Sequence, residues 1–107
     1  DFSKFFIEPL RGDGLEGHLR FAKALDWSTI EEDLVEAHQD ITCPVLLIWG
    51  ERDPWFPWKK AREMVDSFGG SPARVHSIPD GKLFVHEDHA DEFASVASEF
   101  FVEIDGL

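Results

Sequence analysis

The sequence contains little sulfur, with one cysteine and one methionine among 107 residues. A single cysteine, Cys43, excludes an intrachain disulfide. Its position beside Pro44, at the start of an apolar run, predicts a small buried side chain rather than a reactive thiol. We therefore expect a cytoplasmic protein, since thiols stay reduced in that compartment.

Long apolar runs are absent as well. The longest, from Val45 to Trp49, is far shorter than the roughly 20 residues that a membrane-spanning helix needs. No signal-peptide pattern opens the chain. These absences predict a protein without a membrane partner.

Basic residues are scarce, with 10 Lys and Arg against 22 Asp and Glu and a formal net charge of −12. Such a surface repels phosphate backbones, so we expect no nucleic-acid partner. Hydrophobic residues make up 43% of the chain and charged residues 30%, which is a composition typical of folded globular proteins. The length is sufficient for one small domain with a thin stability margin.

The first third of the chain carries weak helical patterns. Residues 1–13 contain several aromatic and aliphatic side chains without a clear period, which predicts an irregular, partly buried lead-in. Apolar positions from Leu15 to Leu25 fit one helix face. A second helix is predicted from a Ser28 or Thr29 cap to His38, with acidic residues in its first turn.

The clearest pattern is the aliphatic run from Pro44 to Gly50, which predicts a strand buried on both faces of a parallel sheet. A proline-rich loop, a helix over 58–68, a second strand over 73–78, a loop over 82–89 and a last amphipathic helix follow. The order strand, helix, strand, helix predicts a parallel crossover, and thus an α/β fold with a βαβ unit and flanking helices.

The strand from Val45 to Trp49 needs more partners than this sequence supplies. It is apolar on every side, so both of its faces and both of its edges should be covered. Only one other strand is predicted. We therefore expect the sheet to be completed by a missing N-terminal segment or by a second copy of the chain in a homo-oligomer.

Residues 41–57 read ITCPVLLIWGERDPWFP and closely resemble the acid-bearing strand and turn of the α/β-hydrolase superfamily. That family shows an aliphatic strand, then Gly-x-x-Asp, then Pro a few residues later. The resemblance implies that Asp53 is the catalytic acid, which accepts a histidine ring N–H. The residues alone leave a second interpretation open, because Asp-Pro also favours a capping Asp in a turn.

Residues 78–93 read IPDGKLFVHEDHADEF and resemble the histidine loop and final helix of the same superfamily. Aligning Phe84, Glu87 and Phe93 with that pattern places Leu83 where the family has its catalytic histidine. Leucine cannot transfer a proton, so the relay from Asp53 is interrupted. His86, three residues further, is the candidate replacement, and the alternative is a polar residue in a solvated acidic loop.

The resemblance extends weakly to residues 14–27, which look like the end of the helical lid of these enzymes. It implies a division into residues 1–38, the end of the lid and a connecting helix, and residues 39–107, the C-terminal βαβα part of the core. None of the seven serines has glycines two positions away on both sides, so the family's nucleophile turn lies outside this sequence.

The implied function is hydrolysis of a small or medium apolar ester, epoxide or halide by the complete protein, with no activity expected from this chain alone. No cofactor and no metal is implied. The rival hypothesis is a non-catalytic binding or interaction module on a decayed hydrolase scaffold, which Leu83 favours.

Two further clusters leave alternatives open. The histidines and acids of residues 86–89 could converge on a metal ion, but a solvated charge cluster is the commoner structure and the zinc-protease spacing is absent. The aromatic residues around the acid turn could line a ligand pocket or close the core. These aromatic residues are Trp49, Trp55, Phe56 and Trp58.

Overall fold

A computed structural model describes residues 1–106, which form two compact units. The first unit comprises Asp1–Asp33 and the second begins at Leu34. Within residues 1–106, no helix combines the length and the apolar character that crossing a membrane requires.

The first unit is helical from its beginning. A π-helical turn over Ser3–Ile7 and a 3-10 turn over Glu8–Leu10 precede helix α1, Asp13–Ala24. The expectation of an irregular lead-in was therefore wrong, and within residues 1–13 only Leu10 is half-buried. Phe2 and Phe6 stack with ring centroids 4.9 Å apart while both rings stay exposed, because a helical turn brings positions four apart together.

Helix α2, Ile30–Asp40, extends two residues beyond the predicted end. Its first turn carries Glu31, Glu32 and Asp33, whose negative charges interact favourably with the helix dipole.

The second unit contains a two-stranded parallel sheet, as the pattern predicted. Strand β1, Val45–Gly50, pairs with strand β2, Ala73–Ile78, in a register that runs from Val45 opposite Ala73 to Gly50 opposite Ile78. Helix α3, Trp58–Ser67, forms the crossover. The predicted loop over 82–89 contains a helical turn, α4, Val85–Asp88, and helix α5, Ala90–Asp105, ends the described chain.

Strand β1 is less covered than its composition predicts. Its residues from Val45 to Trp49 are half-buried, and only Gly50 is buried. In the part of the chain that the structure describes, β1 has one neighbouring strand, so its second edge carries unpaired backbone groups. Leu46 and Ile48, two residues apart on one face, line an open apolar groove with side chains of α5.

Cys43 is exposed, contrary to the prediction. It lies two residues ahead of β1, whose pairing begins where the Val45 N–H donates to the Pro72 carbonyl at 2.9 Å. Thr42 and Cys43 are exposed between the half-buried Ile41 and Pro44, so the thiol lies on an open side of the segment that leads into the strand.

The buried apolar core of the described residues is small and lies in the second unit. It consists of Ala61, Phe68, Ile78 and Val85. His38 on α2 stacks on Phe68 with centroids 4.3 Å apart, and its Nδ1 lies 2.8 Å from the Ser67 hydroxyl. The Ser67 hydroxyl donates to the Met64 carbonyl at 2.6 Å, so the His38 N–H is the donor to Ser67.

The end of β1 and the segment that follows β2 approach each other so closely that only glycine fits at position 50. A Cβ added to Gly50 would lie 2.4 Å from the Gly81 carbonyl carbon and 2.4 Å from the Lys82 carbonyl oxygen, both of them backbone atoms. Two hydrogen bonds hold this contact: Glu51 N–H to the Ile78 carbonyl at 3.0 Å, and Arg52 N–H to the Gly81 carbonyl at 2.9 Å. The segments that follow the two strands are thereby held against each other.

A first prediction concerns the core. Phe68→Ala should lower the free energy of unfolding by about 3 kcal/mol, because it removes a buried ring and leaves a cavity under His38. Phe101→Ala is the matched control, since this ring is 62% exposed and its loss should cost about 1 kcal/mol or less. Urea unfolding followed by circular dichroism measures both. Equal losses for the two variants would contradict the core described here.

A second prediction concerns the glycine contact. Gly50→Ala should destabilise the chain by about 2 kcal/mol, because the new methyl group meets backbone that cannot rotate away. Gly69→Ala is the control: no atom lies within 4 Å of its added Cβ, and the change should stay within about 0.5 kcal/mol. If urea unfolding shows Gly50→Ala to be as stable as Gly69→Ala, the two strand ends are not in contact.

Candidate active site

Asp53 lies three residues beyond the end of β1 and is half-buried. Its N–H donates to the Gly50 carbonyl at 3.3 Å, which starts the turn. Its carboxylate oxygen Oδ1 accepts the backbone N–H of Trp55 at 2.8 Å and that of Phe56 at 3.0 Å. Asp53 therefore organises the proline-rich loop over residues 51–57, which we call the acid turn, as the capping interpretation expected.

The second carboxylate oxygen, Oδ2, accepts no hydrogen bond from any of residues 1–106. A carboxylate offers about four acceptor positions on two oxygens, so the turn occupies one oxygen and leaves the other. The capping and catalytic interpretations of Asp53 are thus compatible. The catalytic role itself stays a prediction.

Asp53 borders a cleft of about 150 Å³ at the ends of the two strands. Most of the residues that line it are apolar, and Lys82 and Asp53 are its charged members. Its mostly apolar lining with few polar groups resembles that of small-molecule sites, although the cleft is smaller than such pockets usually are. The lining residues are Ile48, Trp49, Gly50, Asp53, Phe56, Lys82, Leu83 and Val85.

Leu83 lines the same cleft as Asp53 and is 36% exposed. This is the position that the family resemblance aligns with the catalytic histidine. The contact between Gly50 and Gly81 brings it there, because Leu83 follows Gly81 by two residues. The fold therefore presents, beside the carboxylate, a side chain that cannot transfer a proton.

His86 is not brought together with Asp53. It is exposed and lies beside the rings of Phe84 and Phe93, with centroids 5.9 Å and 6.2 Å away. It does not line the cleft, and it forms no hydrogen bond or ion pair with the residues that the structure describes. Its catalytic role also stays a prediction, and it would require the 82–89 loop to turn the imidazole toward Asp53.

The other histidines of the second unit have structural contacts. His76 Nε2 on β2 lies 3.0 Å from Glu92 Oε1 on α5 and so links the sheet to that helix. His89 precedes α5, and its carbonyl accepts the Phe93 N–H at 2.9 Å. Among residues 1–106, no three His, Cys, Asp or Glu side chains are placed together so that they could hold a metal ion.

The aromatic residues of the acid turn divide into two groups. Trp49 and Phe56 line the cleft, whereas Trp55 is 74% exposed and Trp58 lies under the Arg62 guanidinium at 5.9 Å. Trp49 also donates its indole N–H to the Phe56 carbonyl at 3.0 Å. Sequence reasoning missed this bond, although a tryptophan in an aliphatic strand needs an acceptor for its N–H, and that requirement was the available signal.

Comparison with known proteins gives a partial match. The chain is 37% identical over 60 residues to mouse (Mus musculus) serine hydrolase BPHL and 38% identical over 60 residues to the human (Homo sapiens) protein of that name. The match covers 56% of this chain and spans about a fifth, 20%, of each relative's length. No protein-family model matches the chain. The similarity to these two proteins supports a hydrolase-like segment with a mixed helix and strand fold.

Proposed function

We propose that this chain is the C-terminal part of an α/β-hydrolase and that the complete protein hydrolyses a small or medium apolar ester, epoxide or halide without a cofactor. One observation carries the proposal. Asp53 stands three residues past a parallel strand, half-buried, with one carboxylate oxygen unclaimed by residues 1–106 and an apolar cleft beside it. Open α/β sheets bind their ligands at this end of the strands.

The similarity to proteins named serine hydrolases favours the ester among the three substrate classes. A serine nucleophile attacks an acyl carbon and forms an acyl-enzyme, which water then cleaves. The nucleophile would come from polypeptide outside these 107 residues, as would the strand that covers the second edge of β1, unless a second copy of the chain covers that edge. Residues 1–38 would end the lid and residues 39–107 would complete the core.

In this mechanism Asp53 accepts a histidine ring N–H through Oδ2, fixes the tautomer of the ring and stabilises the imidazolium that forms when the ring takes the nucleophile's proton. Within this chain, His86 is the candidate for that histidine. Leu83 lines the cleft at the position that the resemblance aligns with the catalytic histidine. His86 would therefore act as the proton carrier only after its loop rearranges.

The second candidate function is a non-catalytic binding module, and the position of Leu83 favours it. With leucine beside the carboxylate, the cleft gains apolar surface and loses the proton carrier. Such a cleft would still bind a small apolar ligand.

The proposal predicts that Asp53→Asn in the complete protein lowers kcat for p-nitrophenyl esters by about 10⁴-fold, because an amide neither stabilises an imidazolium nor fixes the correct tautomer. Asp66→Asn, at an exposed site on α3, is the matched control and should leave kcat within about twofold. The 107-residue chain alone should show no turnover. Sustained turnover by this chain that Asp53→Asn abolishes would refute the assignment of the nucleophile to other polypeptide.

The two functions differ in how they respond to changes at the histidine positions. If the complete protein is an enzyme that uses His86, His86→Asn should lower kcat by about 10²- to 10⁴-fold, with His89→Asn as the control that stays active. If it is a binding module, neither His86→Asn nor His89→Asn changes the rate of ester turnover, and the upstream sequence has no nucleophile elbow. If the elbow is intact and Leu83 alone has removed the proton carrier, Leu83→His should raise esterase activity, and no gain would count against that interpretation.

A further inference from the structure

Several hydrogen bonds hold the acid turn, and its aromatic side chains are largely exposed. Two of its rings face solvent, since Trp55 is 74% and Phe56 55% exposed. Pro54 and Pro57 restrict the backbone but have no N–H to donate. The position of Asp53 in the cleft therefore depends on the few polar contacts that cross the turn.

Both backbone polar groups of Phe56 are hydrogen-bonded. Its N–H donates to Asp53 Oδ1 at 3.0 Å, and its carbonyl accepts the indole N–H of Trp49 at 3.0 Å. Trp49 belongs to β1, which is paired with β2, so this bond ties the far end of the turn to the sheet. The near end is tied by the Asp53 N–H to the Gly50 carbonyl.

We propose that Trp49 is a positioning residue for Asp53: through Phe56 its indole N–H fixes the acid turn, which commits Oδ1 to two backbone amides and leaves Oδ2 to accept the N–H of a partner. The identity of that partner as a histidine rests on the proposed function, whereas the action of Trp49 on the turn does not. Without the indole bond, the Phe56 carbonyl loses its link to β1, so the Phe56 N–H no longer has a fixed position. The Asp53 carboxylate that this N–H holds then adopts more than one orientation.

The first test uses the unmodified, ¹⁵N-labelled 107-residue chain and follows hydrogen exchange by NMR. The chain has four indole N–H groups, and that of Trp49 should exchange at least about tenfold more slowly than that of the exposed Trp55. Equal rates for these two indoles would overturn the proposal, and this measurement needs no variant.

The second test compares Trp49→Phe with the control Trp58→Phe. Both changes keep an aromatic ring and remove an indole N–H, but among the described residues only the indole of Trp49 has a bound acceptor. Trp49→Phe should speed exchange of the Phe56 amide by about tenfold, and Trp58→Phe should not. An unchanged Phe56 amide in folded Trp49→Phe would refute the proposal, and if that variant does not fold, the wild-type indole rates decide.

A third measurement separates positioning from a general structural effect. In the complete protein, Trp49→Phe should lower kcat by about 10- to 100-fold with a much smaller change in KM, because the carboxylate is misplaced while phenylalanine keeps an aromatic ring in the cleft lining. A proportional change in KM would contradict the positioning role. If the complete protein hydrolyses no ester, the proposed function fails, and the exchange measurements still decide whether Trp49 fixes the turn.

Discussion

The approach of Gly50 to the backbone of Gly81 and Lys82 is the constraint on which the candidate site depends. It joins the ends of two parallel strands so tightly that a methyl group at position 50 would lie 2.4 Å from backbone atoms. The contact fixes the start of the segment that follows each strand. The acid turn comes from one side and the segment with Leu83 from the other, and together they enclose the cleft beside Asp53.

Much of the second unit could be predicted from the sequence because its patterns are strong and local. The aliphatic run ending at Gly50 marked β1, the alternation over Ala73–Ile78 marked β2 with its observed bounds, and the three- and four-residue spacing marked α3. The likeness of residues 41–57 to an acid turn placed Asp53 at the end of a parallel strand, where the structure also has it.

Other features could not be predicted because they depend on contacts that carry no period in the sequence. The lead-in was expected to be irregular, and a local stack of Phe2 on Phe6 accompanies a helical turn instead. Cys43 was expected to be buried, but it is exposed between the half-buried Ile41 and Pro44. The separation of His86 from the cleft is equally invisible in the sequence, since it depends on one helical turn and two neighbouring rings.

Strand β1 stays partly open although its sequence is almost entirely apolar. Strand β2 alone cannot cover a neighbour that is apolar on all sides. Leu46 and Ile48 of β1 consequently line an open groove beside α5. A strand added at the free edge of β1 would satisfy the backbone groups there. The C-terminal ends of the two strands do not depend on such a strand for their arrangement. The glycine contact, the hydrogen bonds of the turn and the Trp49 indole all lie within residues 45–83. The cleft beside Asp53 and the open groove beside α5 are therefore separate features: the glycine contact and hydrogen bonds organise one end of β1, while among residues 1–106 no second strand pairs with it.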